Sequence, residues 1–294
     1  MNSVAISPHT DSLEARVLRL KTDIWIRYTR ASEIRDRLEA LLVHPKTHRM
    51  PNLAIISETN NGKSMLLNNF YELHPPIQDP ASEYTILPVL LVQMPPEPDE
   101  GRLYSAMLER LFIEGPPKEP AASKLKRLKE MLTKLQTRMI LFDEFSNLLA
   151  GSYLKQRKAL NGIKYLGNEL RIPIVAAGTI ETRTALASDP QLANRFTPVT
   201  LPRWQDDEEF ARLMLSLEPK LGLQQASNLH EEHMTAPLVA ASEGLIGEVV
   251  TLLRLLAEHA MRSGIEKITE PMLSRDFLRK IGWTRPSERM LIPV

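Results

Sequence analysis

The sequence predicts an α/β protein: a parallel five-stranded sheet flanked by helices and followed by a small helical end. Three observations carry this. Five apolar runs, beginning near residues 53, 86, 138, 172 and 197, alternate with helical patterns. No strand pattern follows Trp204. The first run leads through a polar turn into a helix that opens with Lys63 and Ser64. With 294 residues, 43% of them apolar, the chain can bury a real core as one large or two modest domains.

In chain order, residues 11–43 are basic and amphipathic, with Leu13, Val17, Leu20 and Ile24, then Ile34, Leu38, Leu41 and Leu42, at helical spacing. "HPKTHRMPN" is a polar, proline-bearing joint, so an N-terminal helical segment (1–50) precedes a core domain (51–204). Within the core, a helix from Lys63 to about His74 is followed by the connection "PPIQDPASEY" and the buried strand "ILPVLLVQM". A helix near 101–112 and a basic helix over 122–136 lead to the strand "RMILFDEF", which ends in two acids. Helix 155–170, strand "IPIVAAGT", a short helix over 180–187, the connection "DPQLANRF" and the strand "TPVTLP" complete the alternation. "DDEEFARLMLSLEPKL" has acids in its first turn and "EVVTLLRLLAEHAMRSG" ends at a glycine, which together mark a helical lid over 205–282. The remainder, 283–294, contains "RPSERMLIPV".

Composition bounds the function. The absence of cysteine excludes disulfides and thiolate metal sites. No apolar run reaches membrane-span length and the N-terminus has no signal-peptide h-region, so the expectation is a cytoplasmic protein without a membrane partner. Net charge is +1, too near neutral to mark a nucleic-acid binder. Its distribution is uneven: residues 72–101 hold six acids and no Lys or Arg, whereas 118–138 hold seven bases against two acids. Such runs are solvated faces, or here a basic surface that meets DNA phosphates.

Ser57, Glu58, Thr59, Asn60, Asn61, Gly62, Lys63 and Ser64 fill the eight positions of the phosphate-binding pattern G-x-x-x-x-G-K-[ST], with only the first differing. A helix N-terminus offers unpaired N–H groups and the positive end of its dipole, which suits a phosphate chain. Lys63 would reach the β and γ phosphates of ATP, and the Ser64 hydroxyl would ligand Mg²⁺. Ser57 in place of glycine puts the loop's geometry in question. The alternative is an ordinary strand-to-helix turn containing Gly-Lys-Ser.

Hydrolysis also needs an acid to hold Mg²⁺ and a group to position water, both at the end of a neighbouring strand. "MILFDEF" supplies Asp143 for the metal and Glu144 for the water. The next strand ends in Gly178 and Thr179, placing a polar group beside the γ phosphate; a plain loop start is the alternative. Arg195 in "ANRF" would extend across a subunit boundary as an arginine finger, or else sit in a local surface salt bridge. His230 and His233 flank two glutamates but read as a solvated segment, and His44 and His48 lie in the polar joint with no acid beside them.

These motifs, in this order, resemble an AAA+ ATPase: Walker A, Walker B with Asp-Glu, a sensor-type polar residue, an arginine finger and a helical lid. "HRMPNLAIISETNNGKS", "RMILFDEFSNLLAGS", "ALNGIKYLGNELRIPIVAAGT", "DPQLANRFTPVTLPRW" and "SEGLIGEVVTLLRLLAEHA" narrow the resemblance to TniB, called TnsC in related and CRISPR-associated elements, over about residues 25–270. The resemblance implies an ATP-dependent regulator of transposition that assembles as a ring or helical filament on double-stranded DNA. It would link a TniQ-type target selector to a DDE transposase of the TniA/TnsB type, with partner-stimulated hydrolysis driving disassembly. By motif position, Lys63 and Ser64 are then Walker A, Asp143 and Glu144 Walker B, Thr179 sensor 1 and Arg195 the finger acting in trans. Glu248 stands near the place where many relatives carry a sensor-2 arginine, which implies slow intrinsic turnover. DNA contact would fall to backbone-directed bases: Lys124, Lys126, Arg127 and Lys129, then Lys155, Arg157 and Lys158. The competing expectations are a non-hydrolysing adaptor and a helicase loader of the DnaC or IstB type.

Overall fold

The computed structural model describes residues 12–289, except 79, 81, 82, 98 and 117. They form two compact units: Arg30–Pro202, and a second made of the residues up to Thr29 together with those from Arg203 onward.

In the first unit, β1 (Asn52–Ser57), β2 (Val89–Gln93), β3 (Met139–Asp143), β4 (Ile174–Gly178) and β5 (Phe196–Leu201) form one sheet in the order β2-β3-β4-β1-β5. Every pairing is parallel. The inner strands β1 and β4 are buried at every residue, which is why they read as unbroken apolar runs. β5 has a neighbour on one side only; it alternates buried and exposed residues and accommodates Pro198 opposite Ala54. β2 begins at Val89, later than the apolar run beginning at Ile86, because Pro88 has no N–H to give the ladder; its carbonyl instead accepts from the Arg138 and Met139 amides.

After α1 (Leu13–Leu20), which belongs to the other unit, α2 (Thr29–Leu42), α3 (Lys63–Leu73), α4 (Glu100–Arg110), α5 (Ala121–Lys134), α6 (Tyr153–Leu170) and α7 (Ile180–Ala187) accompany the sheet. Phe142, Leu103, Met107, Leu128 and Ile163 lie in its core cluster. Each such buried side chain contributes about 1.5–3 kcal/mol before the entropy of ordering it. The segment "DPQLANRF", read as a connection, contains the short helix α8 (Pro190–Ala193): Asp189 caps it by accepting from the Gln191 (2.8 Å) and Leu192 (3.3 Å) amides, and Pro190 starts it.

The second unit is all-helical among its described residues, with α9 (Glu208–Leu217), α10 (Glu232–Ser242), α11 (Ile246–Ser263), α12 (Arg275–Lys280) and α13 (Pro286–Arg289). Asp207 caps α9 at 3.0 Å from the Phe210 amide. Val17 and Leu20 of α1 share its core with Phe210, Leu253, Leu256 and Trp283. Arg16 seals that packing, donating to Glu266 (2.8 Å) and to the Gly222 carbonyl (2.9 Å); the bond holds the Glu266 carboxyl below, and the Arg16 guanidinium above, their ordinary ranges. Residues 1–50, read as one helical segment, are thus divided: α1 lies in this unit and nearly all of α2 in the other. The tail begins docked, with the Ser287 amide donating to Glu243 (3.0 Å) and Arg289 to both oxygens of Glu248 (3.0 and 2.7 Å). Its last residues, 290–294, lie outside the described ones, as do 1–11. Among the described residues no single helix is long and apolar enough to cross a membrane; α10 and α11 pass that test only together, bent by 114°.

Candidate nucleotide site

Parallel strands bring the predicted residues to one edge. β3, β4 and β1 are consecutive in the sheet, so Asp143, Gly178 and Ser57 all stand at carboxyl ends. Ser57 pairs with Leu201 as the last residue of β1, in extended backbone that any side chain adopts. The doubt raised by its replacing glycine is removed, since the turn's left-handed residues are Asn60 (φ 59°) and Gly62 (φ 85°). Gly62 sits directly before α3, where a positive φ reverses the chain at little cost for glycine.

Lys63 is 5% exposed, and its ammonium donates to the Ser57 (3.1 Å) and Glu58 (2.6 Å) carbonyls. Burial pushes its pKa down, against the opposing pull of Glu144, Asp143 and Glu58. The lysine and the Walker B acids therefore share one electrostatic environment. Asn61, 2% exposed, donates from Nδ2 to the Leu201 (3.0 Å) and Pro202 (3.1 Å) carbonyls, tying the loop to the end of β5. Ser64 lies exposed on the first turn of α3, as do Glu58, Thr59 and Asn60 in the loop.

Glu144 follows β3 in left-handed backbone (φ 52°), heading the 3-10 turn Phe145–Ala150. For a glutamate this costs on the order of 1 kcal/mol or more. Buried Phe145 and Leu148 hold the turn down, Asn147 donates to the Met94 carbonyl (3.2 Å), and the Glu144 amide donates to Asp143 Oδ1 (2.9 Å). Gly178 makes room for it. A Cβ there would lie 2.2 Å from the buried Thr182 Oγ1 and crowd the Ser146 amide nitrogen at 3.1 Å, so glycine at 178 lets the end of β4 lie close against α7 and the turn after Glu144.

Thr179 precedes α7 and its hydroxyl donates to Glu181, which holds that carboxyl below its usual range. Arg195 is not brought to this edge. It precedes β5, and its carbonyl accepts from the amide of Asn52, the first residue of β1 (3.0 Å). One strand length, roughly 15–20 Å at ~3.3 Å per residue, separates it from its own P-loop. Its guanidinium bonds Asn168 of α6, an amide partner in place of the salt bridge weighed from sequence.

Of the basic residues, Lys124 donates to Ser105 (2.7 Å), Arg127 to Glu119 (2.6 Å) and Lys129 to Glu169 (2.6 Å), whereas Lys126 is exposed. Lys155, Arg157 and Lys158 are all exposed at the start of α6. His233 is 3.4 Å from Glu231, and no metal-sized group of three His, Cys, Asp or Glu residues exists among the described residues. The site therefore offers Mg²⁺ a hydroxyl and a carboxylate, Ser64 and Asp143, which suits an ion that takes few protein ligands and completes its shell with phosphate and water. Glu248, in the helical unit, is held by Arg289. Sequence reasoning named Asn61 in the loop and Gly178 at a strand end but not their tertiary partners, and it missed Asn168, which no local pattern marks.

No curated protein matches the chain in sequence. Among solved structures the fold is similar to the ORC2 protein of Aeropyrum pernix in ADPNP–ADP complexes, with TM-score 0.63 and 15% identity over 90% of this chain and 70% of that one. It is similar also to Aeropyrum pernix ORC1 in complex with DNA (TM-score 0.62, 16% identity, 90% and 68% covered) and to Cdc6p from Pyrobaculum aerophilum (TM-score 0.62, 16% identity, 94% and 74% covered). At such identities the likeness establishes the fold alone, a parallel α/β sheet with C-terminal helices. The family model described as bacterial TniB protein matches residues 16–206, well over half of the chain. The chain therefore belongs to the TniB family.

Proposed function

We propose that this protein is an ATP-dependent regulator of DNA transposition that assembles on double-stranded DNA, as a ring or filament, and hydrolyses ATP slowly until a partner stimulates it. The observation that supports this best is the convergence of Lys63, Asp143, Glu144 and Thr179 on the ends of three adjacent parallel strands. Lys63 and the loop amides would bind the phosphates, Asp143 and Ser64 would hold Mg²⁺, Glu144 would orient the attacking water and Thr179 would stand beside the γ phosphate. Bound Mg²⁺ would neutralise charge developing on the phosphate oxygens. Arg195 lies at the other end of β1, so the reading has it serve the nucleotide of a neighbouring copy, which couples nucleotide state to assembly. The exposed Lys155, Arg157 and Lys158, with Lys126, would meet DNA phosphates. A TniQ-type selector and a DDE transposase are the proposed partners, in keeping with the family.

The deciding experiment images the purified protein with duplex DNA by negative stain, without nucleotide, with ADP and with a non-hydrolysable ATP analogue. Assemblies formed only with the analogue, and lost in Lys63→Ala, are expected. Nucleotide-independent particles or absent DNA binding would overturn the switch and favour an adaptor. Glu144→Gln should trap the assembled form, whereas an adaptor would be indifferent to it.

A further inference from the structure

Arg195 carries its charge on an unusual support. Its backbone is pinned at both ends, with the amide donating to the Leu192 carbonyl (2.8 Å) and the carbonyl accepting from Asn52 (3.0 Å). Its side chain is half-buried, and Nη1 donates to Oδ1 of Asn168, in the last turn of α6. The acid of this corner is engaged elsewhere: Asp189 accepts from Lys164 (2.9 Å) and caps α8. A Cβ at Gly167 would lie 2.9 Å from Ile174 Cδ1, the flexible end of that side chain, so α6 runs close to the start of β4 one residue before Asn168.

A carboxamide oxygen orients a guanidinium without cancelling its charge. A carboxylate in the same place would orient it at least as well, often through two bonds, but would neutralise it and compete with a phosphate oxygen for the same N–H groups. We infer that Asn168 is a positioning residue that holds Arg195 directed and fully charged toward the nucleotide of a neighbouring copy. This rests on the trans-finger reading of Arg195 given above.

The test measures DNA-stimulated ATP hydrolysis, the Kd for a fluorescent ATP analogue and the melting temperature of Asn168→Asp, Asn168→Ala, Arg195→Ala and Lys63→Ala. Arg195→Ala should lose kcat by about 10³-fold or more. Asn168→Asp should lose about tenfold or more in kcat, and Asn168→Ala less, with analogue Kd and melting temperature unchanged in both. Mixing Asn168→Asp with Lys63→Ala should restore hydrolysis above either protein alone, because the lysine variant presents an intact finger to intact P-loops. Equal losses in Asn168→Asp and Asn168→Ala, accompanied by lower melting temperatures and no recovery on mixing, would reduce Asn168 to a structural residue. Full kcat in Asn168→Asp with Arg195→Ala inactive would overturn the inference and leave the finger standing. Full kcat in Arg195→Ala, or no hydrolysis by the unmodified protein, would overturn the finger reading itself.

Discussion

Helices α5 and α6 look alike as charge runs and differ as surfaces. On α5, Lys124 bonds Ser105, Arg127 bonds Glu119 and the Glu114 carbonyl, Lys129 bonds Glu169 and Tyr165, and Lys134 bonds Tyr84. On the first turns of α6, Lys155, Arg157 and Lys158 are exposed, alongside exposed Tyr153 and Leu154, and Arg157 lies over the Tyr153 ring at 5.7 Å. The acids and phenols that take up the α5 charges come from both sides of it in sequence, by as much as 50 positions. A count of bases along the chain therefore overstates what α5 can give a polyanion. Apart from the exposed Lys126, its cations brace the α/β unit, and Lys129 reaches α6 itself.

The largest expected effect breaks the α6 side of this contrast. In Lys155→Ala/Arg157→Ala/Lys158→Ala, duplex DNA affinity should fall roughly 100-fold at about 0.1 M salt, and the slope of log affinity against log salt should shrink by about 3, one counterion per lost phosphate contact. Binding isotherms across a salt series check both quantities. An unchanged slope would take DNA off this helix.

What was legible in the sequence follows the range of each interaction. β1 and β4 could be read because burial on both faces keeps Leu53 to Ile56 and Ile174 to Gly178 free of polar side chains. The residues proposed for Walker A and Walker B were named from fixed local spacing, and the parallel sheet brings them to one edge. The loop's dependence on Asn61 could not, because its carbonyl partners lie 140 and 141 positions away. Nor could the membership of α1 in the helical unit, whose Arg16–Glu266 bond spans 250 positions. Gly178 was visible as a residue, but its close approach to Thr182 of α7 and to the turn after Glu144 is tertiary, and the turn reaches it only through the pairing of β3 with β4. The same limit applied to α5, where spacing placed the bases on a helix and tertiary partners decided what they do.

An intermediate effect tests the α5 side. Glu119 is 9% exposed in its ion pair with Arg127 at 2.6 Å. Arg127→Ala leaves that carboxylate nearly buried and alone, and should cost about 2 kcal/mol of stability. DNA affinity should stay where it was. Urea unfolding and the same binding isotherms measure the two quantities on one variant. A loss of affinity without a loss of stability would make α5 a binding helix after all.

The smallest effect concerns the bond by which α5 reaches α6. The hydrogen bond from Lys129 holds the Glu169 carboxyl below its ordinary 4.5, and the bond to Glu169 raises the lysine above its ordinary 10.5. A carboxyl depressed in the folded state stabilises above its unfolded value, and that contribution is lost as pH falls through the folded one; a raised ammonium stabilises below its unfolded value and loses its contribution at alkaline pH. The stability difference between the unmodified protein and Glu169→Gln should therefore be flat between the two ordinary values and vanish on acidification below the lower one. Both partners reach solvent, so screening by salt should shrink the difference further. If it instead survives acid and salt unchanged, the Glu169 side chain acts through uncharged contacts, and α5 holds α6 by contact more than by charge, as where the Lys129 ammonium lies 5.0 Å from the centre of the Tyr165 ring.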